Sequence, residues 1–195
     1  GQDESEIGAD DSIILGMCEA CTDGWKYGED EYDNPNPPND YTDIYIFHPD
    51  WLLLTDSNGN TNLEDEFATD YRQQHSSNQL ISWGISGSTG GDIPLDIPIT
   101  LNWDPSILSS YSDNFKMFLY VGSEDGIDMQ DQNSITISQS DLSLNGNGEP
   151  NIWVKMGGCA DTGETSIYYL DFDGDGLGSS VEGTFCQELQ PTGWV

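Results

Sequence analysis

Residues Gln79 to Ile85 read QLISWGI, and residues Phe115 to Val121 read FKMFLYV. Both are short apolar runs rich in β-branched and aromatic residues, a composition typical of β-strands. Similar runs are Ser12 to Met17, Asp43 to His48, Ile97 to Trp103, Ser134 to Ser138, Asn151 to Met156 and Ser166 to Leu170. Turn-forming dipeptides such as Asn-Gly, Asp-Gly and Pro-Asn punctuate the chain. This pattern predicts an all-β fold, an antiparallel β-sandwich of immunoglobulin-like or jelly-roll-like type.

Helical periodicity is weak throughout the chain. The best helical candidate is Leu63 to His75, LEDEFATDYRQQH, in which Leu63, Phe67 and Tyr71 would share one face. A loop that carries Phe67 into the core is the alternative interpretation of the same residues. The sequence therefore predicts at most one short helix beside the strands.

The charge of the chain limits the partners that it can bind. The chain has 36 acidic residues and four basic ones, a formal net charge of −32 on 195 residues. Nucleic acid is excluded as a partner because phosphate binding needs the opposite sign, and insertion into a membrane is not expected because no apolar stretch is long enough. Such a chain repels itself unless salt screens it or bound divalent cations offset the charge. The second option favours a secreted protein in calcium-rich surroundings, and a halophilic cytoplasmic protein is the alternative.

The residues Asp171 to Glu182, DFDGDGLGSSVE, match the pattern of a calcium-binding loop. Calcium takes six to eight oxygen ligands, and Gly176 permits the tight turn that brings them together. The flanking residues look extended, so the loop is EF-hand-like but lacks the EF-hand helices. A solvated turn is the alternative interpretation. The expected calcium ligands are Asp171, Asp173, Asp175, the carbonyl of Leu177 and Glu182.

Two further segments carry weaker signals for a cation. The segment Asp23 to Asp43 is rich in aspartate, proline and aromatic residues, and we expect an ordered surface strap there. Glu29, Asp30, Glu31 and Asp33 in this strap could hold a second metal ion, although their spacing fits no ligand template and favours a solvated loop. The segment Asp56 to Glu64 resembles a degenerate calcium loop, with Thr61 where the loop glycine belongs.

The four cysteines predict two disulfides and hence an oxidising compartment. Cys159 and Cys186 bracket the calcium loop, and we favour a bond between them. Cys18 and Cys21 form a CxxC motif with no second CxxC beside it, so a local bond is favoured over a zinc site or a redox pair. Four cysteines allow three pairings, and the sequence leaves them open.

The sequence suggests three consecutive parts. Residues 1–17 form an acidic tail and a first strand, which could instead be donated to a neighbouring molecule. Residues 18–157 form the β-sandwich, and residues 158–195 form the disulfide-bracketed calcium segment.

The run YYLDFDGDGLGSSVEGTFCQELQPTGWV, Tyr168 to Val195, resembles the thrombospondin type 3-like calcium segments of large secreted and cell-surface bacterial proteins. The motifs TDGWKYGEDEYDNPNPP, IYIFHPDW, ITLNWD and GIDM are similar to those of a β-sandwich module in such proteins, often exported by the type IX route. Type 3 arrays contain several consecutive aspartate loops, whereas this chain has one. The resemblance implies a calcium-stabilised structural module at the bacterial cell surface.

No catalytic motif is recognisable, and we do not expect an enzyme: GxSxG, GxxxxGK and HExxH are all absent from the sequence. Two functions remain. One is a subunit or module of a surface assembly, filament or adhesive stalk that associates with itself or with neighbouring modules. The other is a glycan-binding or adhesion module, whose ligand-facing aromatic residues would be Trp25, Tyr27 and Trp51.

Overall fold

A computed structural model describes residues 12–36, 40–94, 96–108, 114–122 and 125–195. The acidic tail at residues 1–11 and positions 37–39 of the predicted strap lie outside the described residues. None of the helices in the described part of the chain is long and apolar enough to cross a membrane.

The described residues form an all-β fold. The strands are β1 (Ile14–Cys18), β2 (Tyr41–Phe47), β3 (Glu66–Phe67), β4 (Thr69–Gln73), β5 (Ile81–Gly90), β6 (Ile99–Asn102), β7 (Lys116–Val121), β8 (Ile127–Asp128), β9 (Ser134–Ile137), β10 (Ile152–Gly157), β11 (Thr165–Tyr169) and β12 (Glu182–Cys186). The helical elements are α1 (Pro105–Leu108), α2 (Gln139–Leu142) and a 3-10 turn at Pro49–Trp51.

The sheets are largely antiparallel, as expected, and are consistent with a β-sandwich. The largest has the strand order β3-β2-β5-β10-β7-β8, in which β2 runs antiparallel to both β3 and β5, and β7 antiparallel to β8. Small sheets pair β6 with β9 and β11 with β12. One pair differs from the prediction: β1 runs parallel to β4 of its own chain, with Ile14 opposite Thr69 and Cys18 opposite Gln73.

Local side-chain alternation explains the central strands. In β7 the residues Met117, Leu119 and Val121 are buried while their neighbours are half-buried. In β10 the residues Ile152 and Val154 are buried in the same alternating manner. Successive side chains of a strand point to opposite faces, so this alternation gives each strand one face in the core.

The chain folds as two compact units, each with its own core. The first comprises the described residues of Gly1–Gln74, Trp83–Leu101 and Ile135–Trp153, and the second comprises those of His75–Ser82, Asn102–Ser134 and Val154–Val195. Fully buried side chains of the first include Ile46, Phe67 and Trp83. Buried side chains of the second include Leu119, Val154 and Cys186.

The helix expected at Leu63 to His75 does not form. These residues instead supply β3 and β4, and Phe67 is fully buried opposite Ile46 of β2. The helical spacing of Phe67 and Tyr71 is coincidental, because pairing with β2 and β1 provides backbone partners that a lone helical turn cannot match.

Candidate metal centre

The Asp171 loop connects the two strands of a hairpin in the second unit. β11 pairs with β12 in antiparallel register, with Tyr169 opposite Glu182. The loop between them is bounded by strands, as the sequence predicts, and no EF-hand helix flanks it. Gly174 and Gly176 adopt φ values of 74° and 81°, the left-handed region in which glycine has no Cβ penalty.

Backbone N–H groups orient the aspartates of this loop. The two oxygens of Asp171 accept hydrogen bonds from the N–H groups of Gly174 at 2.8 Å and Gly176 at 3.1 Å. Asp175 accepts one from the N–H of Leu177 at 2.8 Å. The chain therefore curls around Asp171, and the turn draws the side chains of positions 1, 3 and 5 toward one another.

The carboxylates of Asp171, Asp173 and Asp175 form a cluster. One oxygen from each lies within 4.8 Å of the other two. Asp171 is half-buried and the other two are exposed. Among the described residues this is the one group of three or more histidine, cysteine or acidic side chains close enough to share a metal ion. Three anionic oxygens at this separation repel one another and fit a hard cation with oxygen ligands.

The base of the loop is tied to the C-terminal residues. Leu170 forms a β-bridge with Trp194, and the N–H of Asp171 donates to the carbonyl of Gly193 at 2.9 Å. The ring of Trp194 packs edge-on against Phe185 of β12 at 4.8 Å between centroids. These contacts fix the two ends of the loop independently of any bound ion.

The disulfides follow the pairings that the sequence favours. Cys159 bonds to Cys186 across a separation of 27 residues, with their Cα atoms 5.5 Å apart. Cys18 bonds to Cys21 across three residues, with their Cα atoms 5.2 Å apart. The longer bridge closes the segment that contains the Asp171 loop.

Glu182, the most distant of the expected ligands in sequence, is not part of the aspartate cluster. It is the first residue of β12, where the antiparallel ladder places it opposite Tyr169. The ladder therefore fixes its position in the strand, and the twelve-residue spacing alone does not bring it to the aspartates. Leu177, whose carbonyl is the remaining expected ligand, directly follows the turn and donates its N–H to Asp175.

The strap acids considered for a second metal ion, Glu29, Asp30, Glu31 and Asp33, do not form a metal-sized cluster among the described residues. Glu29 accepts hydrogen bonds from the backbone N–H of Thr22 at 2.7 Å and from Lys26 Nζ at 2.6 Å. The oxygens of Asp30 accept the backbone N–H groups of Lys26 at 2.9 Å and Tyr71 at 3.1 Å. Both carboxylates therefore have hydrogen-bond donors within the chain, which for Glu29 include the ammonium group of Lys26.

Glu31 and Asp33 take part in backbone pairing instead. The N–H of Asp33 donates to the carbonyl of Glu66, and the carbonyl of Glu31 accepts the N–H of Ala68. Tyr32 between them forms a β-bridge with Phe67. This part of the strap therefore lies along β3 like an additional edge.

Asp30 is only 4% exposed, and its burial has an electrostatic consequence. Burial raises the pKa of Asp30 to about 6, opposed by the hydrogen bonds from Lys26 and Tyr71 and assisted by the charges of Asp70 and Glu29. This carboxyl serves to organise the backbone and is not an open ligand.

Sequence reasoning missed a buried charge cluster in the first unit. His48 Nε2 lies 2.8 Å from Asp70, which is fully buried, and Arg72 Nε lies 2.8 Å from the same carboxylate. The Arg72 guanidinium stacks over the ring of Trp51 at 4.8 Å and donates to the carbonyl of Asp23. The sequence signal that could have revealed this cluster is the spacing of Asp70 and Arg72, because residues two apart in a strand share a face.

Two of the three proposed ligand-facing aromatic residues are buried. Trp25 is 5% exposed and Trp51 is 2% exposed, whereas Tyr27 is 65% exposed. Trp51 stacks on His48 with ring centroids 3.8 Å apart and packs edge-on against Phe67. Trp25 and Trp51 therefore belong to the core, and of the three residues Tyr27 alone is exposed to a ligand.

The degenerate loop at Asp56 closes on itself. Asp56 accepts the N–H groups of Asn58 at 2.9 Å and Asn60 at 2.8 Å, and its second oxygen accepts the side-chain amide of Asn60 at 3.0 Å. Asn145 holds the N–H groups of Asn147 and Glu149 in the same way. Both loops are Asx-type turns whose polar atoms satisfy one another.

Comparison of the chain with protein-family models, with curated proteins and with solved structures finds no match.

Proposed function

We propose that this protein is an extracellular calcium-binding structural module, in which a metal ion held by Asp171, Asp173 and Asp175 stabilises the C-terminal segment. The carboxylate cluster is the observation that carries the proposal. Its three aspartates supply part of the six to eight oxygens that calcium takes, and backbone carbonyls, including that of Leu177, and water would supply the remainder.

The distribution of the basic residues supports a cation from outside the chain. Each of the four has a partner away from the Asp171 loop. Lys26 pairs with Glu29, Arg72 with Asp70, and Lys116 with Asp161, while Lys155 lies over the ring of Tyr120. The charge of the aspartate cluster is therefore offset by a bound cation in this proposal, rather than by lysine or arginine.

Two disulfides fit an oxidising compartment, which in turn supports secretion. The resemblance of the final segment to thrombospondin type 3-like calcium segments supports a module of a bacterial cell-surface protein. We infer that the β-rich chain is a sandwich of immunoglobulin-like or jelly-roll-like type in such a surface assembly, filament or adhesive stalk. Cation bridging would allow strongly acidic copies or neighbouring modules to approach one another.

Calcium titration by isothermal calorimetry tests the metal site. Asp173→Asn should weaken calcium binding by about tenfold or more, because it removes a charged ligand from the cluster. Asp56→Asn is the matched control: it removes the same charge from a loop outside the cluster of three carboxylates, and the strong site should be unchanged. Equal calcium affinity in both variants would reject the site.

Light scattering after size separation tests the assembly role. Species larger than 21.5 kDa in millimolar calcium that return to this mass in excess chelator would support a cation-bridged subunit. A monomer in both conditions would reject self-assembly and retain only a spacer module, irrespective of calcium affinity.

A further inference from the structure

Four leucines of the first unit project from the surface together. Leu52, Leu53, Leu54 and Leu63 are 44%, 68%, 42% and 67% exposed. We call these four residues the leucine tip. The N–H of Leu53 donates to the carbonyl of Asn62 at 3.0 Å, which places Leu63 beside the leucine run. Contiguous exposed leucines are uncommon on the surface of a monomer and mark a contact surface.

The backbone of the leucine tip is strained. Leu53 has φ 66°, and it is the one non-glycine residue with a positive φ among the described residues. The left-handed conformation costs a branched apolar residue about 1–2 kcal/mol and persists only where the surroundings impose it. A glycine or asparagine would avoid that cost. The structure instead retains a leucine there and directs it into solvent.

A rigid base imposes this conformation. Asn62 is fully buried, and its side-chain amide donates to the carbonyls of Trp51 at 2.9 Å and Glu64 at 2.6 Å. The N–H of Asn62 donates to the carbonyl of Leu54 at 2.8 Å. Trp51 below the tip packs between His48 and Phe67. The leucines are therefore displayed by a fixed support rather than by a loose loop.

The residues around the tip are acidic. Asp50, whose side chain is 74% exposed, precedes it; Asp56 lies between its two halves; Glu64 and Asp65 follow it. Between Lys26 and Arg72 the chain has no lysine or arginine, and both of these pair with carboxylates elsewhere. The apolar tip thus has an anionic rim.

We propose that the leucine tip docks into an apolar socket of a partner protein whose rim carries lysine and arginine side chains. Charge complementarity favours this occupant. A second copy would bring two anionic rims together at a surface with no cation-binding cluster among the described residues, and an anionic membrane would repel the tip. The leucines would supply the buried contact, and the acidic rim would steer the encounter and set the specificity. This inference is independent of the calcium site.

The test uses a fluorescent amphipathic peptide of leucine and lysine, with a leucine–glutamate peptide of the same pattern as its counterpart. Binding is measured by anisotropy at physiological salt for the wild type and for Leu53→Asn/Leu63→Ser. This double variant keeps the charge, and asparagine accepts the left-handed backbone. Ile107→Ser, at a residue that is 63% exposed outside the tip, is the matched control.

The expected result is that the double variant binds the lysine peptide at least about tenfold more weakly than both the wild type and Ile107→Ser. The glutamate peptide should not bind. Equal affinity of the double variant and the wild type would overturn the proposal, since it would leave only nonspecific attraction to an acidic chain. Leucine-dependent self-association in sedimentation, or leucine-dependent flotation with phosphatidylcholine vesicles, would overturn it in favour of a second copy or a lipid surface.

Discussion

Asp70 and Asp173 are identical side chains in opposite surroundings. Asp70 is fully buried, and His48 and Arg72 lie within 2.8 Å of its oxygens. Asp173 is exposed and has two other aspartates as its neighbours. In the first unit the fold surrounds acids with its own cations and N–H donors. In the Asp171 loop it gathers like charges and leaves them to a cation from outside the chain.

The difference shows what a negative charge contributes in each place. A buried carboxylate must be paired with a cation or hydrogen-bond donors. Removing its charge therefore leaves those buried partners without a counter-charge. A cluster of exposed carboxylates destabilises its own loop slightly until a cation binds. The same substitution, aspartate to asparagine, should therefore have opposite signs in the two regions when calcium is removed.

The largest expected effect is that of Asp70→Asn. It leaves Arg72 and His48 without their anion and should lower the free energy of unfolding by about 3–5 kcal/mol. Urea unfolding in excess chelator measures this loss. Asp173→Asn under the same conditions should cause no loss, or a small gain from relief of repulsion. Comparable losses in both variants would contradict the distinction.

The disulfide that brackets the Asp171 loop comes next. Cys159→Ala/Cys186→Ala removes a bridge between cysteines 27 residues apart. The free energy of unfolding should fall by about 3–4 kcal/mol, because the unfolded chain gains conformational entropy. Cys18→Ala/Cys21→Ala, which opens a separation of only three residues, is the control and should cost less. Thermal unfolding ranks the two. The reverse order would show that the long bridge does not support the second unit.

Calcium should separate the two regions most cleanly. At a calcium concentration about one hundred times Kd, the wild type should gain about 2.7 kcal/mol of stability. Asp173→Ala should lose this increment, so that in calcium it melts as the wild type does in chelator. Asp70→Asn should keep the calcium increment, although its stability without calcium is lower. Differential scanning calorimetry with and without calcium provides the comparison. An unchanged increment in Asp173→Ala would place the ion elsewhere.

The pH dependence of Asp30 is expected to be a gradual effect, spread over about two pH units. Burial raises its pKa to about 6 in the folded protein from an ordinary value of 3.8, so the native state binds the proton more tightly than the unfolded chain. Its contribution to stability is therefore full below about pH 4 and declines as the pH rises to about 6. Subtracting the profile of Asp30→Asn from that of the wild type isolates this slope. A difference that increases with pH in this window would contradict the raised pKa.

The strand pattern could be predicted because it is local. FKMFLYV became β7 and NIWVKM became β10, since alternation of side chains specifies one buried face without reference to the rest of the chain. The aspartate cluster was also predictable, because positions 1, 3 and 5 of a tight glycine turn converge whatever surrounds them. The position of Glu182 depends instead on the register of β12 with β11.

The errors share one cause. Leu63 to His75 forms strands because β2 and β1 pair with it, and Trp51 is buried because His48 and Phe67 enclose it. The strands β1 and β2 lie outside Leu63 to His75, and Phe67 is distant in sequence from Trp51. Propensity and composition describe a segment by itself, whereas pairing and burial depend on residues brought from elsewhere in the chain.

By itself the sequence determined the β-rich class, the extreme negative charge, the candidate disulfides and the spacing of the aspartates, because each follows from composition or from neighbours along the chain. Only the tertiary structure decided which acids are buried with His48 and Arg72 and which gather in the exposed loop. The physical reason is that the energy of a charge depends on its surroundings, and surroundings are assembled by contacts between residues distant in sequence.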